Sequence, residues 1–187
     1  ALAAAAAAPL AAGVALTASS ATAAAPLMGA SHPTHYRAKL GAFEITTIWD
    51  GAVQLDGPHP IFGQDQEAEA VQDLAEANFL PRTRMEISFT PVIVNPGREV
   101  VLFDAGNGAG RREAGAGRLA QTLGVAGFKP EDIDIVVLTH FHPDHIAGLM
   151  EGGAPLFPNA RIVANAAEYD FWSPPEKAEG PTALVGA

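Results

Sequence analysis

The sequence predicts an α/β layered fold, on three observations. Strand patterns alternate with helix patterns from residue 99 onward. Two short apolar runs, Val100 to Phe103 and the stretch 134–139, read as buried strands, the first buried on both faces. Each run ends in a polar, Gly- or His-rich segment, and ligand pockets of α/β folds lie at strand C-terminal ends. The 187 residues suit one domain or part of a larger one.

Residues 1–25 hold fifteen alanines and no charge, and end in Ala23-Ala24-Ala25. They read as the apolar region and small-residue cleavage site of a partial export signal, not as a stable membrane anchor, because Pro9, Gly13 and the polar run from Thr17 interrupt them. The protein is therefore expected to be exported, to a periplasm or beyond. Residue 1 is not Met, so the sequence is expected to start inside its gene. A linker over 26–35 follows, broken by Pro26, Gly29 and Pro33, and the folded body begins near Tyr36.

Residues 42–49 are rich in β-branched and aromatic types and read as a strand. Asp50-Gly51 is a turn signal, with 52–55 returning as a hairpin partner. A Gly/Pro loop, 56–63, carries His59 and Phe62. Residues 66–79 read as a helix with Ala68, Val71, Leu74, Ala75 and Phe79 on one face. Strands over 87–94 and 99–103 are joined by Asn95-Pro96-Gly97-Arg98, a hairpin-type turn. A short helix over 117–126, a helical turn over 130–133, and the strand 134–139 come next. A helix starts at 144–150, a strand spans 161–164, and a helix over 165–172 is capped by Asn165. Glu168, Tyr169, Phe171 and Trp172 read as the packed side of that amphipathic helix.

Composition excludes several functions. The net charge of −10, from 21 acidic and 11 basic residues, repels phosphate backbones, so nucleic acid is not an expected partner. Arg111-Arg112, the only basic pair, reads as a solvated loop. With no cysteine, a metal site must use His, Asp or Glu. There is no Gly-x-Ser-x-Gly element for a serine nucleophile. Gly106-Asn107-Gly108-Ala109-Gly110 lacks the spacing and the following helix of a dinucleotide loop, and reads as a flexible turn.

The chemistry concentrates in His140-Phe141-His142-Pro143-Asp144-His145. Residues two apart in an extended segment share a side, so His140 and His142 can face one cation. Pro143 ends the strand and suits the first turn of a helix, which swings Asp144 and His145 in from another direction. Imidazoles and a carboxylate suit Zn²⁺, and also Mn²⁺, Co²⁺ or Fe²⁺.

Thr139 to Leu149 resembles the HxHxDH motif of the metallo-β-lactamase superfamily. Leu102-Phe103-Asp104-Ala105-Gly106 resembles its strand-end Asp-Thr-Gly element, with Ala105 in place of Thr. Gly41 to Thr46, Phe157 to Ala160 and Asp170 to Trp172 resemble the exported branch containing methyl parathion hydrolase, near the quorum-quenching lactonases. The resemblance implies the N-terminal half of an αβ/βα sandwich over 36–187, with one mixed sheet and helices on its outer face. It implies that His140 and His142 hold one of two divalent cations and that Asp144 and His145 hold the other. Asp104 would support the loop behind them. A hydroxide bridging the cations would attack a small ester-like substrate. An acyl-homoserine lactone is the first choice and a phosphotriester the alternative, while a non-catalytic metal-binding protein is the rival class. Asp144 would orient the hydroxide or relay a proton. His59 and Phe62 are candidates for lining the substrate pocket. Dimers are common in this branch, so a homodimer is an open expectation. No histidine follows His145, and Asp170 is the only later aspartate. The sequence is thus expected to be an N-terminal fragment with half a metal site, weak metal binding and no turnover on its own. An apolar sheet face and an open edge are expected to be exposed.

Overall fold

Alternating apolar residues at the start of the body fold into a hairpin. β1 (His35–Leu40) and β2 (Phe43–Ile48) pair antiparallel, with His35 opposite Ile48 and Leu40 opposite Phe43. Thr46 and Ile48, two apart, share the buried side of β2. The computed structural model describes residues 33–178. The export segment expected over 1–25 lies outside the described residues. So does most of the 26–35 linker, whose last residue, His35, already belongs to β1.

The expected hairpin at Asp50-Gly51 does not form. β3 (Gly51–Asp56) leaves β2 and pairs antiparallel with β4 (Arg84–Phe89) in a separate two-stranded sheet. The single strand expected over 87–94 is correspondingly two. Pro91, which has no N–H to offer a ladder, separates β4 from β5 (Val92–Asn95), and β5 joins β2 instead. Between β3 and β4 lies α1 (Ala68–Ala77), within the expected range. Of its expected apolar face only Ala75 is buried, and Phe79 is 99% exposed. Phe79 sits beyond the helix end with φ of 61°, so helical periodicity no longer places its side chain.

The Asn95–Arg98 turn joins β5 to β6 (Val101–Phe103) as expected, with the Gly97 amide donating to Asn95 Oδ1 at 2.8 Å. α2 (Leu119–Val125) then crosses to β7 (Ile135–Leu138), parallel to β6. α3 (Pro143–Ile146) is one turn long. A 3-10 turn over Ala147–Leu149 carries the expected helix on, and a small hairpin follows, β8 (Met150–Glu151) and β9 (Ala154–Pro155). β10 (Arg161–Ala164) pairs parallel with β7, and α4 (Ala166–Trp172) follows, its Asn165 cap accepting from the Ala167 amide at 2.8 Å.

The main sheet has the order β1-β2-β5-β6-β7-β10. Thr46, Ile93, Leu102 and Val136 face one another across four adjacent strands, and all are buried. Leu119 and Leu123 of α2, one turn apart, belong to the same core. α2 stops in a Schellman cap. The Phe128 amide reaches Leu123 O at 3.0 Å and the Gly127 amide reaches Gly124 O at 3.1 Å, with Gly127 at the left-handed φ of 88° this requires. Val101, Phe103, Ile135 and Val137, on the other side of the strands, are only half-buried, so these strands are deeply buried on one face and not on both. β10 exposes all four residues, Ile162 and Val163 included, on an edge without a partner strand among the described residues. No helix among the described residues is long and apolar enough to cross a membrane.

Asp50, fully buried, fastens these parts together. Its Oδ2 accepts from the backbone and side-chain amides of Asn107 at 2.8 and 2.9 Å, and its Oδ1 accepts from the Leu119 amide at 2.7 Å. Gly106 to Gly108 is therefore a buried, fixed segment and not the flexible turn its glycines suggest. Hydrogen bonds to a charged acceptor contribute about 1.5–3 kcal/mol each, and removing the acceptor strands buried donors. Asp50→Ala should therefore cost about 3–5 kcal/mol in urea unfolding, toward the top of the range for single substitutions. A loss below about 1 kcal/mol would show that Asp50 is not the fastening.

Candidate functional site

Because β6 and β7 are parallel neighbours, the segments leaving their C-terminal ends meet. Asp104, the first residue after β6, adopts a left-handed φ of 65°, a region aspartate enters more readily than most residues. Its carboxylate accepts from the Thr139 amide at 2.8 Å and lies 3.1 and 3.0 Å from Thr139 Oγ1. Its Oδ2 is 2.8 Å from His145 Nδ1. The backbone repeats the link, as the Ala105 amide donates to His145 O at 2.7 Å. Gly148 completes the closure: a Cβ there would stand 1.9 Å from Ala105 O. Pro143 occupies the first turn of α3, as its ring allows, and Asp144 follows in that turn.

All four candidate ligands come together, as two facing pairs. His140 Nε2 is 3.0 Å from His142 Nδ1, and His145 Nε2 is 3.1 Å from Asp144 Oδ2. The rings of His140 and His145 lie 3.9 Å apart between centroids. Among the described residues, no three His, Asp or Glu side chains surround one point as a single cation would need. The pairs fit a cation as partial shells. Two donors about 2.0–2.1 Å from a tetrahedral zinc stand roughly 3.3 Å apart, close to both separations.

The donor chemistry supports the same fit. A neutral imidazole has one N–H. If His145 gives it to Asp104 from Nδ1, the bare Nε2 faces the Asp144 carboxylate, and two acceptors in contact call for a positive charge. Burial, first, and the neighbouring imidazoles of His145 and His142 hold His140 below the ordinary histidine value. The Asp144 and Asp104 carboxylates pull the other way, more weakly. The outcome favours a neutral ring.

A cleft of ≈ 230 Å³ opens beside Asp104, Asp144 and His145. Its other wall is the end of β4 and the break after it, Ile87 to Pro91. His59 and Phe62 do not line it. Their loop folds back on itself, with the Phe62 amide on Pro58 O at 2.9 Å, and leaves Phe62 56% exposed. Sequence reasoning missed Ile87 and Phe89 as site residues because it assigned 87–94 to one continuous strand. It also gave no role to Thr139, which sits between Asp104 and two of the imidazoles. Glu168 is likewise not a packed helix residue: its Oε2 accepts from the Phe141 amide and the Trp172 indole, both at 3.0 Å. Arg112, expected in a solvated loop, forks onto Glu151 at 2.8 and 2.9 Å.

The fold has solved counterparts. AidC, a dizinc quorum-quenching lactonase in complex with a product, is 29% identical, with a TM-score of 0.69 over 74% of this chain and 47% of that one. The hydrolase AbOPH, of the beta-lactamase superfamily, is 26% identical, with a TM-score of 0.71 over 82% of this chain and 52% of its own. A probable metal-dependent hydrolase from Staphylococcus aureus, 24% identical, shares the fold with a TM-score of 0.54 over 72% of this chain and 51% of its own. The chain thus spans about half the length of these structures. No curated protein matches it. The family model of the metallo-beta-lactamase superfamily matches residues 89–184, which hold β5 to β10 and the whole His/Asp cluster. With just over half of its 187 residues so matched, the chain belongs to the metallo-beta-lactamase superfamily.

Proposed function

We propose that this chain supplies the first ligands of a two-cation centre in a hydrolase of small ester-like substrates, with an acyl-homoserine lactone as the preferred class. The observation that carries the reading is the pair of facing donor sets, His140 with His142 and Asp144 with His145, each about one tetrahedral edge apart. Divalent cations at such a site supply Lewis acidity toward a carbonyl or phosphoryl oxygen and bring the pKa of water to about 7. Because the chain covers half the length of its counterparts, the activity is proposed for the full-length protein.

The chain's own residues would divide the work. Asp144, about a third exposed and on the cleft wall, can take a proton at Oδ2 or orient a water. Asp104 fixes His145 from behind. Ile87, Phe89 and Pro91 give the cleft an apolar side against which the non-reacting part of a small substrate can pack. Likeness to a dizinc lactonase supports zinc and a lactone; Mn²⁺, Co²⁺ and Fe²⁺ suit the same donors, and a phosphotriester is the alternative substrate. Export is proposed on the uncharged, alanine-rich segment 1–25.

Two measurements test this. Full-length, zinc-loaded protein assayed side by side should hydrolyse an acyl-homoserine lactone faster than a phosphotriester, and Asp144→Asn should lower kcat by about 10²–10⁴. Failure on both substrates with zinc bound would overturn the function but not the metal site. In metal-free protein, His140 should titrate by NMR below the ordinary value of about 6.5. The sign for stability follows. The unfolded chain takes up this proton near the ordinary value and the folded chain only at lower pH, so stability falls as pH drops through that interval. His140→Ala should flatten that slope. A His140 midpoint at or above the ordinary value would contradict it.

A further inference from the structure

Residues 139–142 carry two of the candidate ligands but lie beyond the strand ladder. β7 pairs with β10 only over residues 135–138, and with β6 only over 135–137. The amides beyond Leu138 therefore need partners from elsewhere. Thr139 finds one in Asp104. Phe141, whose amide lies between the two histidines, finds one in Glu168 at 3.0 Å, twenty-seven residues away on α4. The same oxygen accepts the indole N–H of Trp172, one helical turn on, which fixes the carboxylate's rotamer. The Trp172 ring in turn stands edge-on to His142, 6.4 Å between centroids. Asp104 and Glu168 thus hold alternate amides of one short segment from two different elements.

Resting on the two-cation reading above, we propose that Glu168 is a positioning residue: it holds the Phe141 amide so that His140 and His142 present their ring nitrogens as a pair. Its carboxylate need not touch substrate or cation to matter. Partners that orient ligands from outside typically change metal affinity by about 10–100-fold when lost.

The test uses the full-length protein. Zinc affinity is read by competition with a chelating indicator, and hydrogen exchange is read at the Phe141, Val136 and Leu138 amides in metal-free protein. Glu168→Ala should weaken zinc binding about 10–100-fold and speed exchange at Phe141 while leaving Val136 and Leu138 protected. If alanine also opens β7, Glu168→Leu, which keeps bulk and helix propensity, is read in the same way. Glu168→Gln, which keeps an oxygen to accept the amide, should recover part of what leucine loses. Wild-type affinity and a still-protected Phe141 amide in Glu168→Ala, or glutamine no better than leucine, would overturn the proposal. His142→Ala separates this from the underlying reading. If it binds zinc as wild type does, the two-cation centre fails, while Phe141 exchange still decides whether Glu168 holds the segment.

Discussion

The Asp104 carboxylate is the constraint on which the candidate site depends. Two parallel strands would otherwise release their C-terminal segments independently. Asp104, turned into a left-handed conformation at the end of β6, reaches the Thr139 amide at the end of β7 and the His145 ring on α3. One side chain therefore sets the spacing between the strand that brings His140 and His142 and the turn that brings Asp144 and His145. Its charge matters as well as its reach, since hydrogen bonds to a carboxylate are about twice as strong as neutral ones. The absence of a side chain at Gly148 lets the α3 segment close onto Ala105, so the clamp is tight in the backbone too.

Asp50 performs a related task one layer deeper. It binds the Asn107 segment and the start of α2, and so anchors the continuation of the loop that Asp104 begins. Gly106 fits only because it has no Cβ, which would meet Asp50 Oδ2 at 2.7 Å. The acidic balance of the sequence, −10, thus has a structural share: Asp50, Asp104 and Glu168 each bind backbone amides that strand pairing leaves unpaired. Net charge alone, read from the sequence, points only to what the surface repels.

The sequence was legible where chemistry is local. The Asn95–Arg98 hairpin, the Asn165 cap and the 161–164 strand follow from turn, cap and strand residues within a few positions. The four candidate ligands lie within six residues, so their meeting was legible too. Long-range choices were not. Nothing near Asp50-Gly51 says that β3 prefers β4 over β2, because the partner lies some thirty residues away. The α1 face was misassigned for a related reason. Its periodicity is genuine, but the neighbouring surface buries only Ala75, and burial depends on tertiary placement. Glu168 was invisible because its partner, the Phe141 amide, is a backbone group that no side-chain pattern reports.

The electrostatics of the cluster point in one direction. Asp104 and Asp144 approach the two nitrogens of a single imidazole, which when neutral can donate to only one of them. Across the cluster, His140 and His142 approach nitrogen to nitrogen, where one lone pair must yield to a proton or a cation. Protonating His145 alone would satisfy both carboxylates, and one neutral N–H between His140 and His142 would satisfy that pair, whereas charging all three rings would crowd like charges within 3.9 to 4.6 Å. The need for positive charge is therefore concentrated at His145, between two carboxylates, where a divalent cation would meet it as a second proton on the ring would.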